Sequence, residues 1–186
     1  MKVLKFSRQG YFDLIEELAR IVNASGFKPD QIVGIATGGL IPAMVLSKLF
    51  DIPLAILSVE SYAAGEAGDG VKNQEGGVTI GSLATSRAKL GRRVLLVDDL
   101  TDRGETLRLA KQWFIDHYGQ EFDELRTVTI WHKTRSHTIP DFFVQAVGPY
   151  EEGKWPWIIQ PLEVYETKEL RNEILGDGQP QNQKEE

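Results

Sequence analysis

The sequence predicts an α/β domain built on a mostly parallel sheet flanked by helices. Two observations carry this: short apolar runs alternate with helix-period segments of 10 to 15 residues, and two of those runs end in a Gly- or Asp-rich loop that opens a helix. Strands that alternate with helices in this way require right-handed crossovers, which place ligands beyond the carboxyl ends of the strands. At 186 residues the chain suits one domain with a sizeable core, and no internal repeat is present.

The elements follow in order. Ile15, Leu18, Ala19 and Val22 keep the i, i+3, i+4, i+7 spacing of an amphipathic helix, closed by the turn-rich "ASGFKPD". "QIVGIA" (31–36) reads as a buried strand broken by Gly38 and Gly39. "LIPAMVLSKLF" is then a helix that tolerates Pro42 in its first turn. "PLAILSVESY" (53–62) is a strand. From Gly65 to Ser86 the pattern gives way to glycine and polar residues, as expected of a loop. "RRVLLVDD" is a strand, "GETLRLAKQWFIDHY" a helix with Trp113 and Phe114 in the core, and "LRTVTIWHK" and "DFFVQAV" are two further strands. The domain should occupy residues 1–175, and the polar tail 176–186 should be disordered.

Composition narrows the function classes. The chain has no cysteine, which removes disulfides and thiolate metal sites and suits a cytoplasmic protein. A net charge of −6 offers no broad field for nucleic acid, and no apolar run is long enough for a membrane span, so neither is an expected partner. There is no GxxxxGK[ST] and no GxGxxG. His117, His132 and His137 lack a metal-ligand spacing.

The chemistry concentrates in "VLLVDDLTDRGETL" (94–107). Asp98 and Asp99 fall at the exit of a buried strand, and the following loop enters a helix whose free N–H groups favour an anion. Thr101 and Thr106 can add hydroxyl donors, and Gly104 permits close backbone approach. Ionised carboxylates only accept hydrogen bonds, which suits sugar diols or hydrated magnesium. "LLVDD" alone also looks like the first strand of a response-regulator receiver, but too little chain follows to complete one.

As a whole the stretch resembles the phosphoribosyl-pyrophosphate (PRPP) motif of type I phosphoribosyltransferases, and "IVGIATGGLIPA" resembles their strand, pyrophosphate loop and helix. The glycine-rich span 65–86 lies where that family carries a mobile lid. "VTIWHK" and "WIIQP" are similar to segments of the bacterial xanthine-guanine phosphoribosyltransferases, whose small carboxyl-terminal hood would here lie mainly in 133–165, lengthened by "VGPYEEGKWP".

The resemblance implies a set of roles. Asp98 and Asp99 would hold the ribose hydroxyls and Mg2+, partly through water. The PRPP site would comprise Asp98, Asp99, Thr101, Asp102, Arg103, Gly104, Glu105 and Thr106, and the pyrophosphate loop Thr37, Gly38 and Gly39. Lys133, Trp157 and Ile158 would bind the base, and Asp102 would act as the catalytic group at its imidazole edge. The loop has Arg103 where Ser or Thr is usual, and the pyrophosphate loop lacks the basic residue often present, a role open to Arg87, Lys89 or another subunit. The implied enzyme transfers phosphoribosyl from PRPP to a 6-oxopurine (guanine, xanthine or hypoxanthine) in purine salvage, as a homodimer or higher homo-oligomer. The alternative is a nucleotide-sensing regulator with the same fold.

Overall fold

The computed structural model describes residues 1–61, 78–85 and 89–176. Most of the expected lid interval, with Lys72 and Arg87, lies outside the described residues, as do Tyr62 and 177–186 of the expected tail.

Helix α1 spans Arg8–Ala24 and buries Tyr11, Ile15, Leu18, Ala19 and Val22, the stripe that the spacing predicts. Ser7 caps it by accepting a 3.0 Å bond from the Gly10 N–H, a contact worth about 1 kcal/mol. Strand β2 (Gln31–Ala36) leads into α2 (Leu40–Phe50), and β3 (Leu54–Ser61) returns parallel to β2. Strand β5 (Arg93–Val97) pairs with the other side of β2, followed by α3 (Glu105–Tyr118), β7 (Glu124–Lys133) and β8 (Phe142–Val147), with β5–β7 and β7–β8 both parallel. The sheet therefore runs outward from the β2–β5 seam in both directions, and that seam is its topological switch point.

Alternation along the strands divides the core. Leu95 and Val97 face α1 and α2 together with Ile32, Val128 and Ile130, whereas Val94 and Leu96 face α3 with Val33, Ile35, Leu107 and Phe114. Phe114 is fully buried as expected, while Trp113 is only partly covered and stacks on His117, 4.2 Å between ring centroids.

Four features depart from the reading of the sequence. First, Val78–Thr85, expected to be loop, forms strand β4, antiparallel to β3 on the sheet edge. Its glycine signal marks an irregularity, not a loop: the register slips so that Gly81 and Ser82 together stand opposite Ser58. Second, the strand ending in the acid pair resumes as β6 (Leu100–Thr101), which also pairs with β7. Third, the amino end forms β1 (Val3–Lys5), parallel to β9 (Trp157–Ile159), so the hood draws on both ends of the domain. A three-residue strand is too short for periodicity to mark. Finally, a 3-10 turn (Glu163–Glu166) and α4 (Lys168–Leu175) follow the hood.

Candidate functional site

The loops that leave β2 and β5 meet at the switch point. Gly39 packs so closely that a Cβ there would lie 2.3 Å from the Val97 carbonyl oxygen and 2.8 Å from that of Ile35. A Cβ on Gly38 would lie 2.5 Å from the Asp99 carboxylate, which places the Thr37-Gly38-Gly39 loop directly against the acid pair. The Ala36–Thr37 peptide is cis. Between β5 and β6 the ladder opens: the Asp98 N–H donates to the Val128 carbonyl at 3.0 Å, and the Asp99 carbonyl accepts from both Ile130 (3.0 Å) and Trp131 (3.1 Å). The acids thus occupy a break whose backbone is secured on both sides.

Asp98 is buried, and its carboxylate accepts the Asp99 N–H at 3.0 Å. Burial pushes its carboxyl well above the usual range, with the charge of Asp99 adding to the effect. The Tyr11 phenol beneath is also pushed up, by burial and then by the charges of Asp99 and Asp98. Two hard oxygen donors in a field they make unfavourable for each other suit a divalent cation such as Mg2+, which would relieve that repulsion. Among the described residues no cluster of three or more His, Cys, Asp or Glu could hold a metal, so further oxygens would have to come from water or substrate.

The next loop is shaped for an anion. Gly104 has φ +86°, and a Cβ there would also meet Ser136 and Thr138, so glycine is required twice over. Helix α3 begins immediately after it with no side-chain cap bond among the described residues, and its first helical bond runs from the Arg108 N–H to the Gly104 carbonyl. The N–H groups of Glu105, Thr106 and Leu107 precede that bond and, among the described residues, have no backbone partner, so they are open to a ligand. Arg103 is exposed, and its carbonyl accepts the His137 N–H at 3.0 Å. Thr106 is half-buried. Thr101 is buried, and its hydroxyl lies 3.0 Å from His132 Nδ1, so this side chain faces β7 and not the loop mouth. Burial holds His132 below the usual histidine range.

The carboxyl end of β7 and the hood supply the opposite wall. Lys133 is buried, and its Nζ donates to Asp102 Oδ2 at 3.1 Å while lying 5.9 Å from the Trp157 ring centroid. Trp157 is half exposed, which leaves ring surface to stack on a planar ligand. Ile158 alternates inward and joins the main core, so only its backbone could reach a base. Asp102, Lys133 and Trp157 therefore converge, while Asp98, Asp99 and the 37–39 loop gather beside them.

Two hood residues that the sequence reading did not assign also reach this site. Arg135 forks onto Asp102 Oδ1, and the Gln160 amide donates to Asp99 Oδ2. Gln160 stands inside the quoted "WIIQP", so its place three residues after Trp157, which the resemblance assigns to the base, was a usable signal; Arg135 offered none beyond its position two residues after Lys133.

A mostly parallel sheet with an acid pair and a glycine loop at its switch point, roofed by a small hood, defines the type I phosphoribosyltransferase fold. The model of the phosphoribosyl transferase domain matches residues 7–167, so the chain belongs to that family, and its class of activity is phosphoribosyl transfer. It is 28% identical over 141 residues to a xanthine-guanine phosphoribosyltransferase of Cereibacter sphaeroides, covering 74% of this chain and 75% of the relative. It is 32% identical over 114 residues to a hypoxanthine/guanine phosphoribosyltransferase of Methanohalobium evestigatum, covering 61% and 58%. Among solved structures, a purine phosphoribosyltransferase from Pyrococcus horikoshii superposes with a TM-score of 0.64 at 27% identity, over 87% of this chain and 93% of that one. The xanthine-guanine-hypoxanthine phosphoribosyltransferase of Helicobacter pylori shares the fold, with a TM-score of 0.67 at 19% identity over 91% and 97%.

Proposed function

We propose that the chain transfers the 5-phosphoribosyl group of PRPP to a 6-oxopurine, releasing pyrophosphate and forming a nucleoside 5′-monophosphate. The observation that carries this reading is the convergence of Lys133, Asp102 and the open face of Trp157 beside the acid pair. Such a surface offers a donor, an acceptor and a stacking plane, the three kinds of contact that a 6-oxopurine can use. The names of the relatives point the same way.

In this reading the N–H groups that open α3 and the Thr106 hydroxyl hold the 5′-phosphate, with Thr101, Arg103, Gly104 and Glu105 shaping the loop. Thr37, Gly38 and Gly39 hold the pyrophosphate. Asp98 and Asp99 accept the ribose hydroxyls and bind Mg2+, partly through water. When bound, that cation supplies charge stabilisation to the departing pyrophosphate. The C1′–oxygen bond breaks, its electron pair leaving with pyrophosphate, while a purine ring nitrogen donates a lone pair to the oxocarbenium-like C1′. Asp102 accepts the ring proton released in the same exchange, a role conventionally worth about 10² to 10⁴ in rate. Lys133 donates to the 6-oxo group, Trp157 stacks on the ring, and the backbone of Ile158 meets the base edge.

The same reading makes the protein a cytoplasmic homo-oligomer of purine salvage, which sedimentation of the purified chain would test for its assembly. Pyrophosphate release with PRPP, Mg2+ and individual purines is the direct test of the activity. Turnover of guanine, xanthine or hypoxanthine is expected. Nucleotide binding without turnover of any purine would overturn the reading in favour of a nucleotide-sensing regulator.

A further inference from the structure

Asp102 has both carboxylate oxygens engaged, and by different elements. Lys133 Nζ holds Oδ2 at 3.1 Å, whereas the Arg135 guanidinium holds Oδ1 through both Nε and Nη2. The guanidinium in turn lies over the Trp155 ring, 5.2 Å from its centroid, and the Trp155 indole N–H donates to the Thr134 hydroxyl at 3.4 Å. Trp155 follows directly on a small hairpin closed by the Glu151–Lys154 bridge and by a 2.9 Å bond from the Tyr150 N–H to the Lys154 carbonyl. A continuous set of contacts thus runs from the hairpin of the hood to the carboxylate of the loop.

We propose that Arg135, seated on Trp155, is the positioning residue that keeps Asp102 in place when Lys133 transfers from Asp102 to the 6-oxo group of the purine. The proposal rests on the purine-transfer reading above. On a 6-oxopurine the carbonyl oxygen and the adjacent imidazole nitrogen lie on one edge, so Lys133 and Asp102 must address neighbouring atoms. As Lys133 turns toward the base it loosens its hold on Oδ2, and that oxygen keeps a lone pair with which to accept the ring proton. Without a second anchor the carboxylate would follow the departing ammonium or rotate away. A guanidinium suits the task because it presents two donors in a fixed plane and stacks on an aromatic face, which a lysine does not do. Arg135 is assigned to act through Asp102, which it contacts directly.

The test compares wild type, Arg135→Met, Arg135→Lys and Trp155→Leu in steady-state pyrophosphate release, varying the base at saturating PRPP and then PRPP at saturating base. Arg135→Met should raise the KM for hypoxanthine or guanine by about tenfold or more, the equivalent of one charge-assisted hydrogen bond, and leave the KM for PRPP within about twofold. Arg135→Lys should recover part of the loss, and Trp155→Leu should fall between wild type and Arg135→Met. An unchanged base KM in Arg135→Met overturns the proposal, as does an equal rise in both KM values, which would mean general disorder of the site. Wild-type turnover is measured first. Its absence overturns the transfer reading and this inference with it, whereas wild-type turnover with an unaffected Arg135→Met overturns this inference alone.

Discussion

The two walls of the site are held by different means. On the sheet side, Asp98 and Asp99 stand in a break between β5 and β6 whose backbone bonds to β7 on either side, and glycines 38 and 39 are packed to within contact of the acids and of Val97. On the hood side, the key contacts are made between side chains brought together from distant positions: Lys133 and Arg135 on Asp102, and Gln160 on Asp99. Backbone geometry tolerates little adjustment, whereas side-chain pairs can exchange partners when a ligand arrives. In the proposed reading, the sheet side holds the part common to every phosphoribosyl donor complex, and the hood side selects the acceptor.

The largest effect should come from removing the charges on the sheet side. Asp98→Asn combined with Asp99→Asn should weaken PRPP by at least about a hundredfold while leaving the free base nearly unaffected, since two charged hydrogen-bond acceptors at roughly 1.5 to 3 kcal/mol each are lost. Calorimetry with and without Mg2+ measures both, and unchanged PRPP affinity would remove the acids from their assigned role. Asp98→Asn alone should also raise the melting temperature of the ligand-free protein. The carboxyl of Asp98 is raised in the fold, so ionising it costs stability, which falls as pH climbs from the ordinary carboxylate value through the raised one. An amide has no proton to lose, and the gain should vanish in acid. In the proposed reading, Asp98 thus serves binding at a cost in stability.

A second comparison separates packing from binding within one loop. Gly39→Ala would drive a methyl group into two backbone carbonyls that cannot turn aside, so it should cost about 1 to 3 kcal/mol, read as a fall of roughly 2 to 4 °C in Tm per kcal/mol. Gly38→Ala meets the Asp99 carboxylate, which can rotate, so PRPP affinity should drop more than Tm. Equal thermal losses in both variants would contradict the division.

On the hood side, Lys133→Met should reduce the preference for 6-oxopurines over adenine by about tenfold in kcat/KM. A lysine ammonium is donor-only: it matches a 6-oxo acceptor and opposes an amino group. Equal use of adenine by the wild type would refute the base assignment and leave the PRPP assignment standing.

The smallest effect belongs to neither wall. Asp141 opens β8 and accepts from the Thr127 N–H and hydroxyl, both at 2.8 Å, and from Arg126 at 3.1 Å. Burial alone would raise its carboxyl, but these bonds hold it below the usual range. Its contribution is therefore present above the ordinary carboxylate value and lost as pH falls through the depressed one. Asp141→Asn should lower stability by about 1 kcal/mol at neutral pH with both KM values intact, and denaturant melts at pH 7 and at acid pH would show the difference closing.

Legibility in the sequence follows the same division. The acid pair, the glycine loop and the helix openings were readable because each is local: an apolar run, a residue that must lack a Cβ, and free N–H groups fall within a few positions of one another. The strands and helices of the sheet emerged nearly to the residue for that reason. Strand β4 was missed because Gly81 at a register slip has the same signature as Gly in a loop. Strand β1 was missed because three residues carry no period, and its partner lies at the far end of the domain. Arg135 was invisible because what gives it a role, the ring of Trp155 and the carboxylate of Asp102, is adjacent only after folding.

The pairing of β1 with β9 sets the order in which this molecule can be finished. Val3 lies beside Trp157, so β1 has no partner in this sheet until nearly all of the domain has been synthesised after it. The central sheet can begin to assemble from neighbouring crossovers, whereas the hood must close the longest loop in the domain. The part to which we assign the choice of acceptor would consequently close last, and a nascent chain would hold its proposed phosphate-binding half before it had any means of selecting a base.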